Sequence, residues 1–222
     1  MGDVIGQLLS FAVGVAISPV PLIAVVLMLA TPRARVNGPA FVAGWLAGLL
    51  VVGTLVVLIA GGAGASEGGE PAAWVGWLKL VLGLALLALA ARQWRGRPRD
   101  GTAELPSWMK TIDSFAPGRA LALAFALAAI NPKNLLLTVG AAAAIAQTGL
   151  ETGEQAVALG VFALIATLGV GAPVAVYFAL GERSASVLAD LRGWMGAHNP
   201  AIMTVLFVIF GAKLVGDGIS AI

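Results

Sequence analysis

The sequence predicts an all-α integral membrane protein: six transmembrane helices arranged as two inverted three-helix repeats, with helices 1 and 4 broken at prolines near the midplane. Three observations carry this: the apolar content, the sorting of charges between loops, and two proline-centred hexamers. Of 222 residues, 59 % are hydrophobic and 11 % charged, and the mean hydropathy is +0.97. A soluble domain carries about 25 % charge, so soluble, disordered and nucleic-acid-binding classes are all disfavoured. The apolar material suffices for about six spans of ~20 residues each. With no cysteine there is no disulfide, thiolate metal site or cysteine nucleophile, and one histidine, His198, makes no cluster. Neither a metal nor a cofactor is expected.

Six apolar blocks run over 4–30, 39–61, 72–91, 119–147, 155–180 and 200–222. They must be helices, because backbone in hydrocarbon has to satisfy its own hydrogen bonds. A β-barrel would need short alternating segments, and the unbroken run 80–91 argues against one. The first residues carry Asp3 and no basic residue, whereas a secretory leader opens with positive charge. Block 4–30 therefore reads as a retained first span. Gly6 stands where a myristoylation pattern needs Ser or Thr.

The connections are 31–35, 66–70, 92–118, 151–154 and 181–199. Ten of the thirteen Lys and Arg lie in them or at their edge: Arg33, Arg35, Arg92, Arg95, Arg97, Arg99, Lys110, Arg119, Arg183 and Arg192. All ten fall in the first, third and fifth connections or at their edges. The second and fourth carry only Glu67, Glu70, Glu151 and Glu154. The positive-inside bias makes the odd connections cytoplasmic and puts both termini outside. In the third connection, Leu105, Trp108, Met109, Ile112 and Phe115 follow helical spacing, with Lys110 and Asp113 opposite. That stripe suits a helix lying on the cytoplasmic leaflet or one packed on its own bundle. Arg92, Arg95, Arg97 and Arg99 set topology and favour anionic headgroups. The expected organisation is a first three-helix repeat over 1–95, a cytoplasmic linker with an amphipathic helix over 96–118, and a second, inverted repeat over 119–222.

The repeat rests on Ile17-Ser18-Pro19-Val20-Pro21-Leu22, which lies on Ile130-Asn131-Pro132-Lys133-Asn134-Leu135. In the next span of each half, Ala40, Gly44, Ala47 and Gly53 match Ala156, Gly160, Ala163 and Gly169. Three spans per half is an odd number, so the second half enters in the opposite sense, a common construction among secondary transporters. Pro19 and Pro21 should break the first helix and Pro132 the fourth, because proline removes a backbone donor and clashes with the preceding turn. Freed polar groups at membrane depth are tolerated only inside protein or beside water. Ser18, Asn131 and Asn134 stand ready to satisfy them.

Lys133 is the one charged residue near the midplane of a span, and a charge there marks a functional site by default. It becomes neutral, leans on freed carbonyls, or meets an anion supplied by a substrate; the last is the leading expectation. Lys79 and Lys213 lie nearer the outer ends, where they can snorkel, and Asp217 follows Lys213 by one turn. Missing mid-membrane carboxylates disfavour a divalent-cation transporter. Gly44 and Gly48 form a G-x-x-x-G pair suited to close helix packing. Gly169, Gly171 and Pro173 are weaker candidates for a hinge, and Tyr177, Thr138 and Thr167 for pocket polar groups.

Ser18-Pro19-Val20-Pro21 resembles the S/T-P-G-P signature of lysine-exporter-superfamily transporters, and Asn131-Pro132-Lys133-Asn134 resembles their N-P-K signature. Trp108-Met109-Lys110 and Phe210-Gly211-Ala212-Lys213-Leu214 look more specifically like the glycopeptidolipid-addressing and sulfolipid-addressing branch, small actinobacterial membrane proteins. The resemblance covers the whole length. Val20 departs from the glycine that amino-acid exporters keep, and Leu22 from the usual polar residue, so the site is more apolar. The resemblance implies export of a lipid or glycolipid, or its precursor, from the bacterial cytoplasmic (inner) membrane toward the cell envelope.

The leading expectation is thus a secondary transporter working by alternating access. Its substrate-binding set is Ser18, Pro19, Pro21, Asn131, Pro132, Lys133 and Asn134, and its partners are membrane lipids and the lipid or glycolipid substrate. An exporter of amino acids or other small solutes is the first alternative. A non-transporting accessory subunit of a lipid export or synthesis complex is the second. A homo-oligomer or an envelope-biosynthesis partner stays open. An enzyme is not expected, since no acid/base pair, metal cluster or activated nucleophile shares a depth.

Overall fold

A computed structural model describes residues 2–64, 66–67, 70–96, 112 and 114–221. Eight α-helices run in order among the described residues: α1 (Gly2–Ala16), α2 (Pro19–Leu29), α3 (Ala34–Gly62), α4 (Ala73–Arg95), α5 (Pro117–Ala129), α6 (Pro132–Ala146), α7 (Thr152–Leu180) and α8 (Ser184–Ile219). Among the described residues the one strand pairing is a two-residue antiparallel pair in the second connection, β1 (Ser66–Glu67) with β2 (Glu70–Pro71).

Both expected helix breaks are present. α1 and α2 meet at 54°, and α5 and α6 meet at 63°. Pro19 opens α2 and Pro132 opens α6. The residue before a proline is pushed out of the helical region, and Ser18 (φ −115°, ψ 102°) and Asn131 (φ −60°, ψ 121°) are both extended.

The fifth connection differs from expectation. Residues 181–199 were expected as a charged loop, but α8 begins at Ser184 and runs through Pro200 to Ile219. Ser184, Leu188 and Met195 are buried on one face, with Leu191 half-buried between them, so this stretch is an amphipathic helix rather than a loop. α7 ends at Gly181, whose φ of +55° suits glycine, and the Ser184 hydroxyl donates to its carbonyl at 2.6 Å. Three stretches are long and apolar enough to cross a membrane: Ala34–Gly62, Ala73–Arg95 and Thr152–Ile219, the last 68 residues long. Counting each bent pair as one span gives five.

The molecule is apolar outside as well as inside. Ile59 is 70 % exposed, Leu58 64 % and Leu168 63 %. Soluble monomers rarely show so continuous an apolar surface. Trp74 and Trp94 stand at the two ends of α4, twenty residues or ~30 Å apart, which matches the hydrocarbon thickness. The chain is a multi-pass membrane protein.

Helix contact is made through small residues. α3 packs along α5, α1 along α7, and α4 along α8. A Cβ on Gly44 would strike the Leu121 carbonyl of α5, and one on Gly169 would strike the Ala16 carbonyl of α1. Phe41, Trp45 and Leu49 bury fully along one face of α3. The aligned partner of Gly44, Gly160, faces open space instead. Ile112 is fully buried and Phe115 packs on the core, which places that end of the linker stripe against the bundle. The rest of the expected linker helix (Leu105, Trp108, Met109, Lys110 and Asp113) and Arg97 and Arg99 lie outside the described residues.

Gly44→Ala should therefore lower stability by about 1–3 kcal/mol through overpacking. Gly160→Ala should leave stability unchanged or raise it slightly, since alanine favours helix. Thermal unfolding of the two variants in detergent checks the contrast.

Candidate functional site

In an α-helix the carbonyl of residue i accepts from the N–H of residue i+4. Pro21 has no N–H, so the Ile17 carbonyl enters the break without its helical donor. The Lys133 amine supplies the missing hydrogen bond from the other half of the chain, donating to Ile17 O at 2.7 Å. It also donates to Ser18 Oγ at 2.9 Å. The Ser18 hydroxyl donates in turn to Asn134 Oδ1 at 2.8 Å. Asn134 Nδ2 donates to the Leu127 carbonyl at 3.0 Å, satisfying the end of α5. Asn131 Oδ1 accepts from the Lys133 backbone N–H at 3.1 Å and caps α6. One chain of polar contacts thus joins the first break to the second.

The network is closed in. Lys133 is 2 % exposed, Ser18 3 % and Asn134 0 %. The four polar residues expected at the site, Ser18, Asn131, Lys133 and Asn134, come together, and Pro19, Pro21 and Pro132 make the breaks they serve. Of the three outcomes open for Lys133, the geometry realises the lean on a freed carbonyl. The backbone acceptors Ile17 O and Leu127 O were not named from the sequence, although Pro21 pointed to Ile17 by simple counting.

Each break has an apolar groove beside it. A groove of about 430 Å³ lies against the first, walled by Ile17, Leu22, Gly169, Pro173 and Leu188 among others. Another, of about 500 Å³, lies against the second, with Ile130, Pro132 and Leu135 facing Leu89 and Arg92 of α4. Ile17 and Leu22 are the residues that align with Ile130 and Leu135. A third cavity, about 610 Å³, opens between α2, α7 and the start of α8, and shares Leu188 with the first groove. Its lining includes Tyr177, Arg35, Glu182 and Arg192.

The weaker candidates divide. Gly169 and Pro173 wall the first groove and Tyr177 the larger cavity, whereas Gly171 has no neighbour near its Cβ position. α7 runs unbroken through all of them. Thr167 bonds its own helix at Ala163 O, and buried Thr138 Oγ1 has no partner among the described residues. Lys79 does not snorkel: it is 9 % exposed and donates to Gln147 Oε1 at 2.9 Å. Lys213 and Asp217 pair one turn apart, as their spacing predicts.

Removing the Lys133 amine orphans a buried carbonyl, which costs about 1–3 kcal/mol. Lys133→Met should lower the unfolding temperature in detergent for this reason. Ser18→Ala removes the hydroxyl that also accepts from the Lys133 amine, so the double variant should lose less than the sum of the single ones. A double-mutant cycle should read a coupling of about 1 kcal/mol.

Searches of curated proteins and of solved structures found no match. The family model described as Sap, sulfolipid-1-addressing protein, matches residues 8–220, almost the whole chain. The chain belongs to the sulfolipid-1-addressing protein family.

Proposed function

We propose that the chain is a secondary transporter that exports a lipid or glycolipid, or its precursor, across the bacterial cytoplasmic membrane by alternating access. The observation that carries this reading is the Lys133–Ile17 contact: a buried amine from one half holds the broken backbone of the other, with an apolar groove beside each break. Membership of a lipid-addressing family supports the substrate class. The apolar grooves favour an acyl chain over an amino acid, which would need an open polar pocket.

Six spans in two inverted repeats fit this reading. A straight helix of 68 residues would be ~102 Å long, over three times the hydrocarbon core, so 152–219 serves as two spans turning at Gly181. Helix pairing is also compatible with a twofold relation between the halves. α1 on α7 answers α5 on α3, α2 on α7 answers α6 on α3, and α2 on α8 answers α6 on α4. The end that carries Arg35 and Arg192 is the cytoplasmic one, and both termini lie outside. The Asn37 side chain, at the start of α3, donates to Phe115 O just before α5, which supports placing the first and third connections at one end.

In this mechanism the two breaks part when access switches. Ile17 O and Ser18 then give up the amine, and a polar group of the substrate takes it. Ser18 and Asn134 position Lys133, Asn131 holds the start of α6, and the prolines keep the breaks permanent.

Mass spectrometry of surface lipids tests the function. A deletion strain should lose one lipid class from the surface, the wild-type chain should restore it, and Lys133→Ala at equal membrane abundance should not. Full restoration by Lys133→Ala would sink the site. Topology has its own test, because the chain lacks native cysteine. Gly153→Cys should react with a membrane-impermeant maleimide in intact cells and Arg33→Cys should not; the opposite pattern reverses the orientation.

A further inference from the structure

One cavity lies away from the Lys133 network, at the end of α2 and α7 and the beginning of α8. Its volume of about 610 Å³ is that of a small-molecule site. Arg35, from the start of α3, and Arg192, from α8, both line it, as does Glu182 from the turn between α7 and α8. Among the described residues none of these three side chains makes an ion pair, so two guanidiniums and one carboxylate share the lining without neutralising one another. In the sequence Arg35 and Arg192 mark only the orientation of the chain. The fold instead brings them together, 157 positions apart in the chain, at one cavity.

Away from its charged residues the lining is largely apolar, with Val26, Leu29 and Phe178 among it. Leu188 lines both this cavity and the groove that reaches Ile17 at the first helix break. A charged mouth that leads into an apolar cleft fits an amphiphile. Arginine binds phosphate and sulfate oxygens in two-pronged fashion. Glu182 opposes an anion, and the net charge of the three groups remains +1, which selects a headgroup of single negative charge over a zwitterion.

We propose that this cavity is the loading site for an anionic lipid of the adjacent leaflet. The headgroup sits between Arg35 and Arg192, and one acyl chain runs past Leu188 to Ile17. The inference rests on the reading of a lipid substrate and adds where that lipid enters and what headgroup charge it carries. It also links loading to the break: the chain end touches the residue whose carbonyl holds Lys133.

Native mass spectrometry of the full-length protein, released from phosphatidylcholine nanodiscs doped with phosphatidic acid of matched chains, tests it. Wild-type protein should retain phosphatidic acid in preference to phosphatidylcholine. One arginine near a lipid surface is worth about fivefold in anionic-lipid binding, so Arg35→Gln with Arg192→Gln should reduce retention about twenty-five-fold. Glu182→Gln should increase it. Leu188→Trp, which keeps every charge but plugs the junction, should also lose the lipid. Equal retention by wild type and the double arginine variant, or no preference over phosphatidylcholine, overturns the proposal. Outward movement of a labelled phosphatidic acid in liposomes is read separately. Retention that depends on the arginines without any movement upholds the loading site and sinks the transporter reading. Movement that survives loss of both arginines sinks the loading site and leaves the transporter reading intact.

Discussion

Pro21 withholds a hydrogen-bond donor from Ile17, and Lys133 returns it from more than a hundred residues away. Much of the interior follows from that exchange. A carbonyl left bare at membrane depth is costly, and so is an amine with no partner. Each settles the other. Ser18 and Asn134 extend the contact to the end of α5 at Leu127, so the unsatisfied groups of both breaks share one set of side chains. The bends of 54° and 63° are stable because this set spans them.

The breaks also shape the apolar space. A helix that turns by more than 50° at its middle cannot keep both halves packed against the same straight neighbour. Space opens beside Ile17 and Leu22 on one side and beside Ile130 and Leu135 on the other. Close packing elsewhere compensates. Gly44 lets α3 touch the backbone of α5, Gly169 lets α7 touch α1, and glycines 83 and 211 let α4 and α8 do the same. With lipid outside as apolar as the interior, such close contact is what holds helices together. The resulting bundle is tight at its glycines and open at its prolines.

Charge has two uses in this chain. Most of the arginines sit at helix ends, where hydration is available. Lys133, Lys79 and Lys213 each find a near partner within the protein instead: a carbonyl and a hydroxyl, a glutamine, and an aspartate one turn on. Only the last pairing is local. Lys79 with Gln147 joins α4 to the end of α6, and this contact removes any reason for Lys79 to reach toward water.

Composition and local chemistry were legible in the amino-acid order. Apolar content required a membrane protein, the prolines located both breaks within a residue or two, and Ser18, Asn131 and Asn134 were identifiable because small polar residues at a break have groups to satisfy. The start of α8 is hidden in the sequence because Arg183, Asp190 and Arg192 look like a loop by charge, while its buried stripe is short and one-sided. Which acceptor took Lys133, which side chain met Lys79, and that Arg35 faces the same cavity as Arg192 were decided by the tertiary structure alone. Hydrophobic runs and proline act through the nearest four residues, so sequence determines where helices form and fail. Partners across more than a hundred residues depend on which helix faces meet, and in this bundle glycine contacts and bent axes set those faces.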